Sequence, residues 1–81
     1  MAHIVLMGNL RQYTGGVSEL ELDVANIRQM FRKLSESYPA LTPHLDEGLA
    51  VAIDGQIYQD ALLQPIEAAS EVHILPQIAG G

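Results

Sequence analysis

The spacing of hydrophobic residues changes along this 81-residue chain, and each spacing predicts a different secondary structure. A run of apolar residues, Ile4–Met7, indicates a strand over residues 3–8 in the middle of a sheet. Residues 18–24 instead alternate between aliphatic and acidic side chains, which is typical of a strand with one exposed face. The intervening Gly15-Gly16 favours a turn, so we expect the two strands to form a hairpin.

A helical period follows this hairpin. Apolar side chains recur at steps of three and four residues and form one stripe: Val24, Ile27, Met30, Phe31, Leu34 and Tyr38. Asp23 or Asn26 is expected to cap the start of this helix, because both side chains accept hydrogen bonds from free N–H groups. Pro39 ends it, since the residue before a proline avoids the helical region. Residues 39–48, which contain two prolines and a glycine, are predicted to be a loop.

The last third of the chain predicts three short strands. Leu49–Ile53 and Gln56–Tyr58 flank Asp54-Gly55, a dipeptide that favours a type I′ hairpin turn. Residues 60–69 are ambiguous: Pro65 limits any helix there, and a turn of irregular helix and an irregular loop are equally good predictions. Glu71–Pro76 is the final strand.

The order of elements is therefore two strands, one helix and three strands. The first and last strands are the most apolar, so we expect them to lie side by side and parallel at the centre of the sheet. One amphipathic helix covers one face of a mixed, roughly five-stranded sheet. This is an α+β fold of the β-grasp, or ubiquitin-like, type. We expect residues 1–76 to form this domain and residues 77–81 to be a flexible C-terminal tail.

Composition excludes several functions. The formal net charge of −6 gives no basic surface for nucleic acid or for an anionic membrane. The chain has no cysteine, which excludes disulfides, zinc–thiolate sites and a catalytic thiol. His3, His44 and His73 have no metal-ligand spacing, so no metal site is expected. The apolar run near the start is too short for a signal peptide or a membrane span, which predicts a cytoplasmic protein.

The C-terminal residues Gly80 and Gly81 are the best candidate for chemistry. Two residues without side chains can enter a narrow channel and present the terminal carboxylate to another protein's active site. Such a carboxylate becomes reactive once it attacks the α-phosphate of ATP, and a sulfur donor can then displace AMP. A frayed chain end with no function is the simpler alternative. No nucleophile, base and pocket arrangement indicates an enzyme that acts alone.

Three short motifs resemble the MoaD/ThiS sulfur-carrier family over essentially the whole chain. Residues 71–81 resemble the C-terminal signature of that family, residues 10–16 its first turn, and Asp54-Gly55 its second hairpin. The resemblance implies that Gly81 is adenylated by an enzyme of the ubiquitin-activating type, which uses ATP and magnesium, and is then converted to a thiocarboxylate. It also implies sulfur delivery to an acceptor enzyme, such as the large subunit of molybdopterin synthase or another synthase, with no cofactor bound to the carrier itself.

Partner contacts are expected near the tail. The segment Gln77, Ile78, Ala79 and Gly80 would enter the partner's active site. If alternate residues of the last strand face the helix, His73 and Leu75 face outward and form a docking patch, together with Ile78. Two alternatives stay open: a protein modifier joined through Gly81 to lysines, and an interaction module whose C-terminus is inert.

Overall fold

The computed structural model describes residues 1–47, 49–59 and 61–76. Its strands and α-helices, in chain order, are β1 (Ala2–Leu6), β2 (Glu19–Leu22), α1 (Ile27–Ser37), α2 (Thr42–Glu47), β3 (Ala50–Ile53), β4 (Gln56–Tyr58) and β5 (Glu71–Leu75). Two 3₁₀ helices, Gly8–Tyr13 and Pro39–Leu41, lie in the connections.

The sheet has the strand order β2-β1-β5-β3-β4. β1 and β5 are parallel at its centre, with Ile4 opposite Val72, and the other three pairs are antiparallel. The predicted β-grasp fold, with the first and last strands adjacent, is therefore confirmed. The turn between β3 and β4 is as predicted too, because Asp54 and Gly55 both have positive φ, +49° and +88°, as a type I′ turn requires.

The core lies between α1 and one face of the sheet. β1 and β5 place alternate side chains in it, and α1 contributes Ile27, Met30 and Leu34. The largest fully buried side chains are Ile4, Leu10, Met30, Leu34, Leu41, Val51, Val72 and Ile74. All are aliphatic, so the hydrophobic effect and close packing of this one cluster supply most of the stability.

The start of α1 is fixed by side-chain and main-chain hydrogen bonds. Asn26, not Asp23, is the cap: its Oδ1 accepts a 2.9 Å hydrogen bond from the Gln29 N–H. Gln29 reciprocates, since its Oε1 accepts from the Ala25 N–H at 2.8 Å. The alternative cap at Asp23 is wrong because the helix begins only at Ile27. Tyr38 ends α1 before Pro39, as predicted.

The predicted loop over residues 39–48 is wrong in part. The chain there forms the 3₁₀ helix Pro39–Leu41 and then the six-residue α2. Leu41 and Leu45, four residues apart, are both buried and hold this segment on the core. The ring of His44 also contacts that of Tyr13, with 4.1 Å between centroids.

No helix in the described parts of the chain combines the length and the hydrophobicity that a membrane span requires.

The first connection also differs from the prediction. β1 ends at Leu6, and the 3₁₀ helix Gly8–Tyr13 precedes the two glycines, so the link to β2 is longer than a tight hairpin turn. Leu10 explains the extra turn of helix, because its side chain is only 2% exposed and packs into the core.

Truncation of a core residue should destabilise the fold far more than the same truncation on the surface. Ile74→Ala removes a fully buried side chain and should lower the free energy of unfolding by about 2–5 kcal/mol. Ile57→Ala is the matched control, because Ile57 lies in a strand but is 64% exposed; it should change stability by about 0.5 kcal/mol or less. Urea denaturation measures both values. Equal losses in the two variants would contradict the described core.

Candidate functional site

The chain leaves the sheet from its centre. β5 ends at Leu75 and is followed by Pro76, beside the point where β1 passes into the first connection. The Met7 N–H donates a 2.9 Å hydrogen bond to the Ile74 carbonyl and extends the pairing of the two strands by one residue. The tail residues predicted to carry the chemistry, Gln77, Ile78, Ala79, Gly80 and Gly81, lie outside the described residues.

β5 has one face in the core and one on the open side of the sheet. Val72 and Ile74 are completely buried, whereas His73 and Leu75 are half-buried on the face opposite α1. The orientation expected for the last strand is therefore confirmed. The docking role of His73 and Leu75 stays a prediction, and their expected companion Ile78 is not described.

The open face is apolar near the end of β5 and ionic near its start. Strand register places Val5 and Ala52 on either side of His73, and Ile57 beside Ala52. Ala50 stands next to Leu75 in the same way. We call this region, made of Val5, Ala50, Ala52, Ile57 and Leu75, the apolar strip. It lies close to the residue from which the C-terminal segment starts.

The ionic part of the open face is centred on His3. Its Nδ1 lies 2.8 Å from both carboxylate oxygens of Glu71, and its Nε2 lies 2.9 Å from Oε1 of Glu19. The imidazole thus bridges the strands on both sides of β1. His73 makes a longer contact, with Nε2 3.4 Å from Oε1 of Glu71.

These contacts shift two pKa values. The hydrogen bond to Glu71 is the main reason that the pKa of His3 lies above 6.5, and Glu19 raises it further, while partial desolvation opposes both. The same hydrogen bond lowers the pKa of Glu71 below 4.5. An imidazolium can donate from both ring nitrogens at once, whereas a neutral imidazole can donate from only one. The two short contacts of His3 therefore fit its protonated form.

Metal-ligating clusters, His44 and one cavity are the other candidate features in the parts of the chain that the structure describes. Within these parts no group of three His, Cys, Asp or Glu side chains is arranged to hold a metal ion. His44 packs on Tyr13, remote in the chain from the His3 cluster on the open face. A cavity of about 180 Å³ between α1, α2 and β3 has a mostly hydrophobic lining among the described residues, which also include Asp46.

Two features of this region could not be found by sequence reasoning. One is the His3–Glu71 contact, which requires knowing that β1 and β5 pair in a register with these residues opposite each other. The other is Gly8, which has φ of +61° and lies against Pro76. A single glycine directly after an apolar strand was the only local signal for it.

The His3 cluster should make stability depend on pH. The contribution of His3 is complete below pH 6.5 and is lost as the pH rises through its higher folded-state pKa. The contribution of Glu71 is complete above pH 4.5 and is lost as the pH falls through its lower folded-state pKa. The stability difference between the wild type and His3→Gln should therefore be greatest between pH 4.5 and 6.5.

The NMR titration of the His3 ring tests the cause. Glu71→Gln should move its pKa down towards 6.5, because the largest raising contact is lost. Glu36→Gln, on the exposed side of α1, makes the same change in net charge and should leave the pKa of His3 where it is. A pKa that responds equally to both variants would show that only net charge matters.

Comparison with known proteins agrees with this architecture. The structure of small archaeal modifier protein 1 from Methanosarcina acetivorans is 25% identical, with a TM-score of 0.81 over 99% of this chain and 95% of that one. A putative molybdopterin converting factor subunit 1 from Pyrococcus furiosus is 15% identical, with a TM-score of 0.79 over 95% and 97%. A chain of the BexX/CysO complex from Amycolatopsis orientalis is 18% identical, with a TM-score of 0.78 over the full length of both chains.

No curated protein sequence matches the chain. The model of the ThiS family, however, matches residues 4–81, which is nearly the whole sequence and includes both C-terminal glycines. The chain therefore belongs to the ThiS family, and its ubiquitin-like β-grasp fold is that of the MoaD/ThiS-like sulfur carriers.

Proposed function

We propose that this protein is a sulfur carrier whose reactive group is the carboxyl group of Gly81. The observation that carries the proposal is the family match, which runs through Gly80 and Gly81. The fold supports it, because the chain leaves the sheet at Pro76, next to the half-buried Leu75 of the apolar strip. A segment of five residues can span at most about 17 Å, enough to reach into a partner's active site while the domain stays outside.

The chemistry requires two steps. The Gly81 carboxylate attacks the α-phosphorus of ATP, a new acyl C–O–P linkage forms, and pyrophosphate leaves with the electrons of the broken P–O bond. A sulfur nucleophile, in the simplest case hydrosulfide, then attacks the acyl carbon. The C–O bond to AMP breaks, AMP leaves, and the product is a thiocarboxylate and a proton. This product can transfer its sulfur to an acceptor.

The carrier supplies the reacting carboxylate, and its partners supply the catalysis. We infer two partners: an adenylating enzyme of the ubiquitin-activating type, which brings ATP and Mg²⁺, and an acceptor enzyme that consumes the sulfur. The similar chain in the BexX/CysO complex is bound to another protein, and the similar Pyrococcus furiosus protein carries the name of a molybdopterin converting factor subunit. We infer that the acceptor is an enzyme in the synthesis of molybdopterin or of another sulfur-containing metabolite, which agrees with both similar proteins. Because activation consumes ATP, we infer that the carrier acts in the cytoplasm.

The acidic residues of the open face favour a basic partner. Glu19, Glu21 and Glu71 are exposed beside the apolar strip, and the whole chain has a net charge of −6. We infer that a partner's apolar surface covers Leu75 while its cations face these carboxylates. Such an arrangement speeds encounter and fixes orientation more than it adds affinity.

A second candidate function is conjugation to other proteins through an amide bond from Gly81 to lysine. It is favoured by the similarity to small archaeal modifier protein 1. The sequence identity to that protein is 25%, higher than the 15% and 18% identity to the Pyrococcus and Amycolatopsis chains. Both functions share the acyl-adenylate and differ in the nucleophile that attacks it, sulfur or an amine.

The state of Gly81 in cells should separate these functions. Intact-mass analysis of the protein isolated from its own organism is expected to show a form heavier by about 16 Da, the difference between sulfur and oxygen. Conjugates that leave a Gly-Gly remnant on lysine after proteolysis would instead identify a modifier. The control is a variant lacking Gly80 and Gly81, which should show neither product. If that variant still rescues a null strain, the C-terminus is inert and the proposal is wrong.

The docking role of Leu75 can be tested by replacing its apolar side chain with a charged one. Leu75→Glu places a charge on the apolar strip and should raise the KM for the carrier in adenylation by about tenfold or more, since an unpaired carboxylate would be buried against the partner. Leu63→Glu is the matched control, because Leu63 is 74% exposed and lies in the β4–β5 connection. Both variants should keep the wild-type fold by circular dichroism. Equal KM values for the Leu75→Glu and Leu63→Glu variants would show that Leu75 does not contribute to docking.

A further inference from the structure

Gly8 and Pro76 are in contact where the chain leaves the fold. A Cβ atom added to Gly8 would lie 2.9 Å from Cγ and 3.3 Å from Cδ of Pro76. Protein Cβ atoms essentially never approach another heavy atom as closely as 2.9 Å. The proline ring therefore occupies the space that any side chain at residue 8 would need.

The segment around Gly8 is held on both sides and cannot easily move away. Before it, the Met7 N–H is bonded to the Ile74 carbonyl at 2.9 Å. After it, Leu10 is buried in the core, and its N–H donates to the Met7 carbonyl at 3.3 Å. A displacement forced at this contact must therefore be taken up largely by Pro76, whose own neighbour Leu75 is the last residue of β5.

The other glycines with positive φ have a different role. Gly15 and Gly55, at +71° and +88°, have nothing within 4 Å of the position that a Cβ would take, so only their backbone conformation requires glycine. Gly8, at +61°, has a similar backbone conformation and in addition the contact with Pro76. Of the glycines with positive φ in the described chain, Gly8 is thus the one whose missing side chain makes room for another residue.

We propose that Gly8 is a positioning residue for the C-terminal segment: by leaving space for the Pro76 ring, it sets where and in which direction the chain leaves the fold. The inference rests on the proposed function, because it concerns how Gly81 is presented to the adenylating enzyme. The role assigned to Gly8 is exerted through Pro76 and requires no contact with ATP or with the reacting carboxylate.

The effect on the reaction follows from the rigidity of proline. The ring fixes φ of Pro76 near −65°, so displacing the ring also reorients the peptide bond that starts the tail. The carboxylate must lie about 3–3.5 Å from the phosphorus it attacks, and a misplacement of about 1 Å can cost a hundredfold in rate. Because the partner holds both the docked domain and the extended tail, a small shift at Pro76 changes where Gly81 lies at the reaction centre, while docking through the open face is unaffected.

Adenylation kinetics of Gly8→Ala test this role, with the adenylating enzyme of the same organism, ATP and Mg²⁺, followed by ATP–pyrophosphate exchange. We expect kcat to fall by about tenfold or more with the KM for the carrier unchanged. Gly15→Ala is the matched control: it lies in the same connection and introduces the same kind of backbone strain without the contact. It should lower the melting temperature through this backbone strain and leave kcat unchanged.

A double variant asks whether the effect passes through Pro76. Pro76→Ala removes both ring atoms that an alanine at residue 8 would meet. It should itself lower kcat, because the exit is no longer fixed, and adding Gly8→Ala to it should cause no further loss. If kcat is unchanged in Gly8→Ala, falls equally in Gly15→Ala, or falls further in the double variant, the inference is overturned. Should Gly8→Ala not fold, an unchanged kcat in Pro76→Ala overturns it.

A measurement without the partner keeps this inference separate from the proposed function. Amide resonances of residues 77–81 in the free carrier should shift in Gly8→Ala and not in Gly15→Ala. If the wild type is never adenylated, the proposed function fails, while these shifts still decide whether Gly8 directs the exit. If the wild type is adenylated and the shifts are absent, only the positioning role fails.

Discussion

The parallel pairing of β1 with β5 is the constraint on which the rest of this structure depends. It joins the first and last strands at the centre of the sheet, so the core cannot close until the two ends of the chain have met. Of the strand pairs in the sheet, this one joins residues that are farthest apart in the chain, so it carries the largest loop-closure entropy cost. The same pairing brings the C-terminal segment beside the turn that follows β1.

Having helices on only one side makes the two sheet faces chemically different. The face under α1 is aliphatic and closed, whereas the other carries both an ionic cluster around His3 and an apolar strip that ends at Leu75. A one-residue change in the register of β5 would exchange these faces. The carrier surface and the core are therefore specified by the same alternation of residues, and a change of register would disrupt both at once.

Much of the architecture follows from the sequence because local patterns agree with the global fold. The alternation in β2 and the Asp54-Gly55 dipeptide each determine their element without help from distant residues. The second helix was missed because Pro39, Pro43 and Gly48 indicate a loop, although proline is tolerated in the first turn of a helix.

The candidate site could be predicted from the sequence only in part, because some of its contacts join residues that are far apart in the chain. Gly80 and Gly81 stand out by their position and their motif, so the reactive end can be inferred from residues alone. Gly8 meets Pro76 across almost the whole length of the chain, and His3 meets Glu71 across a comparable distance. No local propensity reports such contacts, since they exist only once β1 and β5 have paired. The docking surface requires the fold in the same way.

The beginning of α1 is completed by main-chain groups of the connection between β4 and β5. The N–H groups of Ile27 and Arg28 donate to the Gln64 and Leu62 carbonyls at 3.1 and 2.8 Å, and the Ile66 N–H returns a bond to Ala25. Because every amino acid has a main-chain carbonyl, these bonds do not depend on which side chains Leu62 and Gln64 carry. Adding or deleting one residue in this segment would move its carbonyls away from the first N–H groups of α1, so the start of the helix constrains the length of the segment more than the identity of these two residues.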